Sequence, residues 1–446
     1  MIHRLWMPIL LCLTLACQSF GQSTDSLSLR DLVIRAIQEN ESIQVAQKQG
    51  DISALNYNLN KTQFQPQVNF SGSYFYYWDD VPNYVFRNPE STLFNGSGED
   101  EAIPLGLENN LGLTLSFRQR VLDLNYFGNQ DTRGVMNELQ KFKEREAQEE
   151  VVLNLAEKYF RWMQLNKSTE AIAFNNHRLD QLLAITRIRI QEEMANAFDS
   201  LRLLKAMGDL NLEARRLDNS KQLLETTLLM EANLESGTLR QGNGLSLLKY
   251  ANNDTLVSAK RGILESAKKV KDIQYRSHRP LAPTLDFFAN LSLQSQSPTV
   301  NVIGDGFTNN ISLLGLQLDI PLYNGAREKL NQQKVTLEKD ILDLQIERLS
   351  RGESLLSQKH WQDIQYFREK ITLESRWIES LDIKYQQEEV KWQQGVSSLN
   401  DLLIVNAEIV EAKQQLAELT YALRKAELDY LRAGGGLIPQ LMNYEE

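Results

Sequence analysis

The chain has 446 residues, of which 42% are hydrophobic and 24% charged, so it is long enough for about three domains and is not a disordered chain. Its formal net charge of -10 argues against a nucleic-acid partner, because binding to phosphates requires a basic face. Both cysteines, Cys12 and Cys17, lie near the N-terminus, which excludes disulfides and cysteine-ligated metals from the rest of the chain.

The first 21 residues predict a cleaved export signal. Arg4 precedes an apolar run from Leu5 to Cys17, and the pattern Ser19-Phe20-Gly21 suits cleavage after Gly21. A second interpretation is lipidation at Cys17, because Leu15-Ala16-Cys17 resembles the motif that precedes a lipidated cysteine. The apolar run, of about 13 residues, is too short to span a bilayer as a helix.

Long helices are predicted over two spans without proline, residues 105–279 and 322–438. The part from about 128 to 192 is rich in good helix formers and would be about 95 Å long at 1.5 Å per residue. Apolar residues recur in steps of three and four along two later helices, which predicts coiled-coil packing. One seam contains Leu402, Val405, Ile409, Ala412, Leu416, Leu419, Leu423, Ala426 and Tyr430, and the other contains Leu203, Met207, Leu210, Ala214, Leu217, Leu224 and Leu228.

Four short segments alternate apolar and polar residues, which is the two-residue period of a strand. They cover residues of about 66–79, 111–119, 284–295 and 311–322. A long acidic loop joins the first two segments and a shorter polar loop joins the last two. The sequence therefore predicts two strand pairs among the long helices.

The two halves of the chain predict an internal two-fold repeat. Matching segments are Phe64–Phe70 with Leu281–Phe287, Leu111–Leu115 with Leu314–Leu318, and Glu193–Leu201 with Gly395–Leu403, which places Asp199 on Asp401. The predicted organisation is a signal peptide at 1–21, a first repeat at 22–235 with a helix turn near 193–200, a linker at 236–252, a second repeat at 253–437 with a turn near 394–401, and a tail at 438–446.

Four strands with an apolar outer face cannot close a barrel by themselves, and open strand edges are excluded from a lipid bilayer. Closure therefore needs several copies of the chain, and three copies would supply twelve strands, enough for a lumen. Tyr74, Tyr76 and Trp78 would suit the aromatic girdle at one membrane interface. The long helices carry too many charges to lie in lipid and are expected to project into water.

Residues 28–437 resemble the TolC-like outer-membrane efflux proteins. The motifs that carry this resemblance are Leu27–Leu32 with Ala36–Asn40, the strand-to-helix segment Gly315–Arg327 and the turn Gly395–Leu403. The resemblance implies a mainly α-helical homotrimer in the outer membrane of a Gram-negative bacterium. Its twelve strands would form a transmembrane β-barrel in contact with lipid, and its long antiparallel coiled-coil helices would form an α-barrel in the periplasm. The implied function is the exit duct of a tripartite efflux or type I secretion system, served by a periplasmic adaptor and an inner-membrane pump of the RND or ABC type.

The resemblance also implies that the two helix turns lie at the periplasmic tip of the tube. The tip-turn residues are Glu193, Gly395, Ser397 and Ser398, and the residues of the pore constriction are Asp199 and Asp401. In a trimer these aspartates would place six carboxylates around one axis, which would attract cations. The other interpretation is that both aspartates only stabilise helix N-termini.

The first repeat departs from the family pattern at two places. Glu193 occupies the position that Gly395 has in the second repeat, and Arg118-Gln119-Arg120 stands in place of Ile320-Pro321-Leu322. The first turn and the first strand exit are therefore expected to be built differently from the second ones.

The sequence contains no residue pattern typical of an enzyme. His177, His278 and His360 are scattered without the spacing of metal ligands, and no phosphate-binding loop, nucleophile elbow or zinc motif occurs. We therefore expect no catalytic activity, no metal site and no cofactor. Two alternatives to a duct remain, a periplasmic adaptor and a structural coiled-coil component of an envelope assembly without its own pore. The sequence does not indicate the substrate.

Overall fold

A computed structural model gives the structure of the chain. It describes residues 26–79, 81, 83–86, 101–104, 106–124, 126, 132–241, 257–277, 282–323 and 325–443. The predicted signal peptide at 1–21, the alternative lipidation site Cys17 and most of the predicted linker at 236–252 lie outside the described residues.

Helices make up most of the described chain, as the sequence predicts. They are α1 (Leu29–Glu39), α2 (Glu41–Lys61), α3 (Thr132–Gln191), α4 (Ala197–Glu231), α5 (Ala259–Ser277), α6 (Arg327–Gln393), α7 (Leu399–Ala433) and α8 (Leu437–Met442), with a 3-10 turn at Thr62–Phe64. Helices α3 and α6 have 60 and 67 residues, so they are about 90 and 100 Å long at 1.5 Å per residue. Among the described helices, none combines the length and the apolar character needed to cross a membrane.

The described strands include the four that the alternating pattern predicts. They are β1 (Ser26–Leu27), β2 (Gln67–Tyr76), β3 (Asn83–Phe86), β4 (Glu101–Pro104), β5 (Asn109–Asp123), β6 (Thr238–Leu239), β7 (Thr284–Ser297) and β8 (Phe307–Asp319). An antiparallel sheet has the order β2-β5-β7-β8. Strand β1 pairs with β6 in parallel, and β3 pairs with β4 in the antiparallel direction.

The four-stranded sheet has one apolar face. Two neighbouring rows on that face are Val68, Phe117, Ala289 and Leu314, and Phe70, Leu115, Leu291 and Ser312. A row on the opposite face is Asn69, Ser116, Asn290 and Leu313. Among the described strands, none pairs with the outer edge of β2 or of β8, so the sheet has two open edges.

The first strand exit is built differently from the second, as expected from the sequence. Strand β5 contains a bulge between Arg120 and Leu122 and continues to Asp123. Arg118 and Arg120 both bind the nearly buried carboxylate of Asp286 on β7, with nitrogen–oxygen distances of 3.3 and 3.1 Å. Charge-assisted hydrogen bonds of this kind are stronger than neutral ones, so they fix the end of β5 against β7.

The chain divides into two compact units. We call residues 1–49, 141–263 and 346–446 the helical unit, and residues 50–140 and 264–345 the sheet unit. The helical unit contains α1, α4, α7 and α8 together with large parts of α3 and α6. The sheet unit contains the four-stranded sheet and the helix segments that lead into it.

The sequence of helix α1 determines both where the helix begins and which of its faces is buried in the helical unit. The Ser28 hydroxyl accepts a hydrogen bond from the Asp31 backbone N–H, and the Asp31 carboxylate accepts one from the Ser28 backbone N–H, which is a complete capping box. Leu29, Leu32, Val33 and Ala36 then form one buried face of the helix. They pack in a cluster with α3, α7 and α8 that contains the fully buried Tyr159.

The two predicted coiled-coil seams differ in burial. Along α7, all seam residues are buried except the half-buried Leu416 and Tyr430. Along α4, only Leu203 and Leu228 are buried, and the seam residues between them are half-buried. One chain therefore covers the α7 seam almost fully and the α4 seam only near its ends.

Candidate functional site at the two helix turns

The two turns that carry the predicted site residues lie at the same end of the helical unit. Arg189, near the end of α3, donates a hydrogen bond to the Trp392 backbone oxygen at 2.8 Å, and its guanidinium lies over the Trp392 ring at 4.9 Å. Apolar side chains from α3, α4, α6 and α7 form one buried cluster beside the turns. Its members include Leu182, Leu203, Leu381, Trp392, Leu399 and Leu402. The fold thus brings Glu193 and Gly395 to one end.

Both turns share two backbone hydrogen bonds at corresponding positions. Glu193 and Gly395 occupy the left-handed region, with φ of 59° and 75°. In the first turn the bonds are Glu193 N to Ile190 O (3.1 Å) and Met194 N to Arg189 O (2.7 Å), and in the second they are Gly395 N to Trp392 O (3.0 Å) and Val396 N to Lys391 O (2.9 Å). This is the Schellman pattern of helix ends. The expectation that the first turn is built differently is therefore wrong for its backbone.

Asp401 is held in a capping box at the start of α7. The Ser398 hydroxyl lies 2.6 Å from the Asp401 carboxylate, which also accepts the Ser398 backbone N–H at 3.2 Å. The hydroxyl and then the backbone N–H of Ser398 lower the pKa of Asp401, and the Ser397 hydroxyl contributes further. Ser397 also donates to Glu388 at 2.9 Å. Asp401 is therefore charged at neutral pH and stabilises the helix start, as the capping interpretation requires.

Asp199 has the corresponding place in α4 but different contacts. The helix is capped by Asn196, whose side-chain oxygen accepts from the Phe198 backbone N–H at 3.1 Å. The Asp199 carboxylate lies 3.8 Å from Arg202 in the next turn, and both side chains reach solvent. A weak, screened ion pair of this kind leaves the carboxylate accessible. Asp401 accepts a hydrogen bond from the backbone N–H of the residue that caps its helix, and Asp199 does not make the corresponding bond in α4.

The predicted aromatic residues belong to the sheet unit and lie at one end of β2. The Tyr74 hydroxyl donates to the Asn109 side-chain oxygen at 2.6 Å, and Tyr76 pairs with Asn109 across the sheet. Trp78, just beyond the strand, is 91% exposed. All three residues lie at the C-terminal end of β2, so their side chains share one rim of the sheet.

Sequence reasoning missed Arg189 and Trp392, whose contact joins the two turns. They lie about 200 residues apart, and neither is part of a recognisable motif. Within the described ranges, no group of three or more acidic or histidine side chains could hold a metal ion, and His278 lies outside those ranges. What the site offers chemically is a set of carboxylates at an exposed helix end.

Substitutions at the two left-handed positions are expected to have opposite effects on the local stability of the turns: Gly395→Ala lowers it and Glu193→Gly raises it. A Cβ at position 395 would meet no atom within 4 Å, so Gly395→Ala adds only backbone strain. Strain of about 1 kcal/mol corresponds to a factor of about five in local opening. We therefore expect Gly395→Ala to make amide exchange at Val396 about fivefold faster, and Glu193→Gly to make exchange at Met194 slower by a similar factor. Gly352→Ala, in the open interior of α6, is the control and is expected to stabilise. Equal effects of both alanine substitutions would contradict the strain argument.

No protein-family model matches the chain. It is similar to the cation efflux system protein CusC of Escherichia coli O157:H7, with 22% identity over an alignment 453 positions long that covers 92% of this chain and 86% of that protein. The fold is similar to the CmeC outer membrane channel of Campylobacter jejuni, with a TM-score of 0.67, 14% identity and coverage of 92% and 86%. It is also similar to the outer membrane protein VceC of Vibrio cholerae, with a TM-score of 0.67, 12% identity and coverage of 92% and 96%.

Proposed function

We propose that this chain, which has the fold of the TolC-like outer-membrane channels, is the outer-membrane exit duct of a tripartite efflux or type I secretion system. The resemblance predicted from the sequence motifs is confirmed. The protein is located in the outer membrane of a Gram-negative bacterium and has a large periplasmic part. Its relatives are efflux and channel proteins, which supports transport rather than catalysis.

The observation that carries this proposal is the open sheet with one apolar face. Strand β2 runs parallel to β7 and antiparallel to β5 and β8, because each neighbouring pair is antiparallel. Strand β8 of one copy can therefore pair with β2 of the next in the same antiparallel manner. Lipid excludes unpaired strand edges. Three copies joined in this way form a twelve-stranded barrel with its apolar face toward lipid and Tyr74, Tyr76 and Trp78 at one rim.

The long helices form the periplasmic part of the proposed duct. The half-buried seam of α4 is the kind of surface that a neighbouring protomer covers, so three copies of α3, α4, α6 and α7 form a helical tube. Each protomer contributes two repeats, residues 22–235 and 253–437, joined by the linker at 236–252. The turns near 193–200 and 394–401 form the tip of the tube, where a periplasmic adaptor links the duct to an RND or ABC pump.

Single-channel recording in a planar bilayer tests the duct. We expect the purified protein to insert as a trimer and to give small openings that prefer cations. Failure to insert would overturn the proposal and favour a periplasmic adaptor or an envelope component without a pore.

The aspartates are tested in the same recordings. Changing both Asp199 and Asp401 to Asn is expected to widen the openings or remove the cation preference, because six carboxylates would leave the constriction. Asp31→Asn is the matched control, since Asp31 has the same capping box as Asp401 at the start of α1. A double variant whose currents match those of the control would reduce both aspartates to stabilisers of their helices.

A further inference from the structure

A large cavity lies within the helical unit, between the middle of α3 and the second half of α7. Its volume is about 770 Å³, which is within the range of small-molecule sites. Apolar, aromatic and charged side chains line it, among them Phe160, Phe174, Lys413, Ala417 and Tyr421. None of them belongs to the two helix turns or to the sheet.

Apolar side chains from both helices form the walls of this cavity. Phe160, Met163 and Phe174 project from α3, and Leu416 and Tyr421 project from α7. Ala171 and Ala417 stand on the two helices where larger side chains would fill the gap, and both are buried. The cavity therefore offers an apolar slot with aromatic surfaces, which suits a ligand that has a flat or ring-containing apolar body.

The charges of the cavity are mostly positive. Lys167, Lys413 and Arg424 line it, against one carboxylate, Glu170. Lys167 donates to Glu170 at 2.8 Å and Gln241 donates to it at 3.2 Å. The Lys167 ammonium, with Gln241, lowers the pKa of Glu170, so this carboxylate is charged and already compensated. Lys167 and Glu170 thus neutralise each other.

The two remaining cations are held in place by different contacts. The Lys413 ammonium lies over the Phe174 ring at 4.5 Å, and among the described residues no carboxylate forms an ion pair with it. Arg424 is 4% exposed and donates to Glu427 at 2.6 Å. Arg368 lies 3.6 Å from the same carboxylate. Arg424 is therefore already bound to a carboxylate, and Lys413 is the lining cation that can face a ligand.

We propose that this cavity binds an amphiphilic anion, whose apolar body lies between α3 and α7 and whose acidic headgroup lies beside Lys413. A carboxylate, sulfonate or phosphate headgroup satisfies this chemistry. The site goes beyond the duct function, because it requires neither an open pore nor a partner.

Two fluorescent probes with the same aromatic body test the proposal. Anilinonaphthalene sulfonate carries an acidic group, and phenylnaphthylamine is its neutral counterpart. Each is titrated into the purified full-length protein in an uncharged detergent, with protein-free detergent as the blank. We expect the sulfonate to bind about tenfold more tightly than the neutral probe, the size of one charge-assisted contact.

Variants separate the cavity from other apolar surfaces. Lys413→Gln is expected to weaken binding of the sulfonate about tenfold and to leave binding of the neutral probe unchanged. Lys425→Gln, at a lysine of the same helix that does not line the cavity, is expected to change neither. Ala417→Phe fills the slot and is expected to abolish saturable binding of both probes. Its control is Ala407→Phe, at an exposed position of the same helix. Equal binding of the two probes, or unchanged binding in Ala417→Phe, would overturn the proposal.

Discussion

Leu314→Arg is expected to prevent the protein from assembling in the outer membrane, whereas Leu313→Arg on the next residue of β8 is expected to be tolerated. The two side chains project from opposite faces of the sheet. Leu314 is 76% exposed in the single chain and belongs to the apolar row with Ala289 and Phe117. Leu313 belongs to the row with Asn290 and Ser116, which faces the lumen of the proposed barrel.

The physical reason is the cost of a charge in hydrocarbon. An arginine on the lipid face near the bilayer midplane costs about 2–4 kcal/mol, and a trimer contains three of them, for a total of about 6–12 kcal/mol. On the lumen face the same guanidinium stays in water and costs little. The comparison is matched, because both substitutions replace leucine by arginine in the same strand.

Membrane fractionation followed by size determination of the extracted protein checks this prediction. The wild type and Leu313→Arg should be found as trimers in the outer-membrane fraction, and Leu314→Arg should be degraded or remain unassembled. If both variants assemble equally well, the apolar face of the sheet does not contact lipid. If only Leu313→Arg fails, the two faces are assigned the wrong way round.

Glu427→Gln is expected to destabilise the helical unit by about 3–5 kcal/mol, the usual effect of breaking a buried ion pair by removing one partner. Glu427 is fully buried, and Arg424 and Arg368 both approach it. Neutral glutamine has nearly the same shape but removes the negative charge to which the buried guanidinium of Arg424 donates. The variant is expected to unfold at a clearly lower temperature in a detergent-solubilised sample.

The control for this prediction is an exposed ion pair between α3 and α7. Arg161 donates to both oxygens of Glu418, at 3.0 and 2.8 Å, and both side chains are well exposed. Glu418→Gln should cost no more than about 1 kcal/mol, since water screens the pair. A similar loss in the two variants would show that burial of charge is not the reason.

A second variant keeps the prediction testable if Glu427→Gln fails to fold. Changing Arg424 to Met together with Glu427 to Leu removes the buried charges and keeps most of the volume. Arg368 can then turn toward water, because its side chain is already 31% exposed. We expect this double variant to recover most of the lost stability, since apolar residues of similar volume often replace a buried ion pair without loss.

Local patterns predicted the elements well where the relevant forces are local. The alternation at 111–117 predicts β5, but the predicted end near 119 is too early. The alternation is interrupted by Arg118-Gln119-Arg120, and the strand continues through its bulge to Asp123 because it pairs with β7. The capping box at Ser398 and Asp401 depends on residues three apart, and the proposed tip role of Asp401 stays a prediction.

Glu193 shows where a residue preference failed. Glycine is favoured in the left-handed region because it has no Cβ, so a glutamate at this position argues against the turn that Gly395 makes. The structure nevertheless has the same turn at both places. The cluster that joins α3, α4, α6 and α7 fixes the helix directions beside both turns, and packing of that size outweighs about 1 kcal/mol of backbone strain.

The sequence by itself determined the long helices, the four strands with their apolar face and the seam of α7. Each of these depends on the period of side chains along one element or on neighbours within one turn. Only the tertiary structure decided the strand order, the contact of Arg189 with Trp392, and the cavity with its buried Arg424 and Glu427. These features join residues far apart in the chain, and the same local sequence would permit many other pairings, so packing had to select among them.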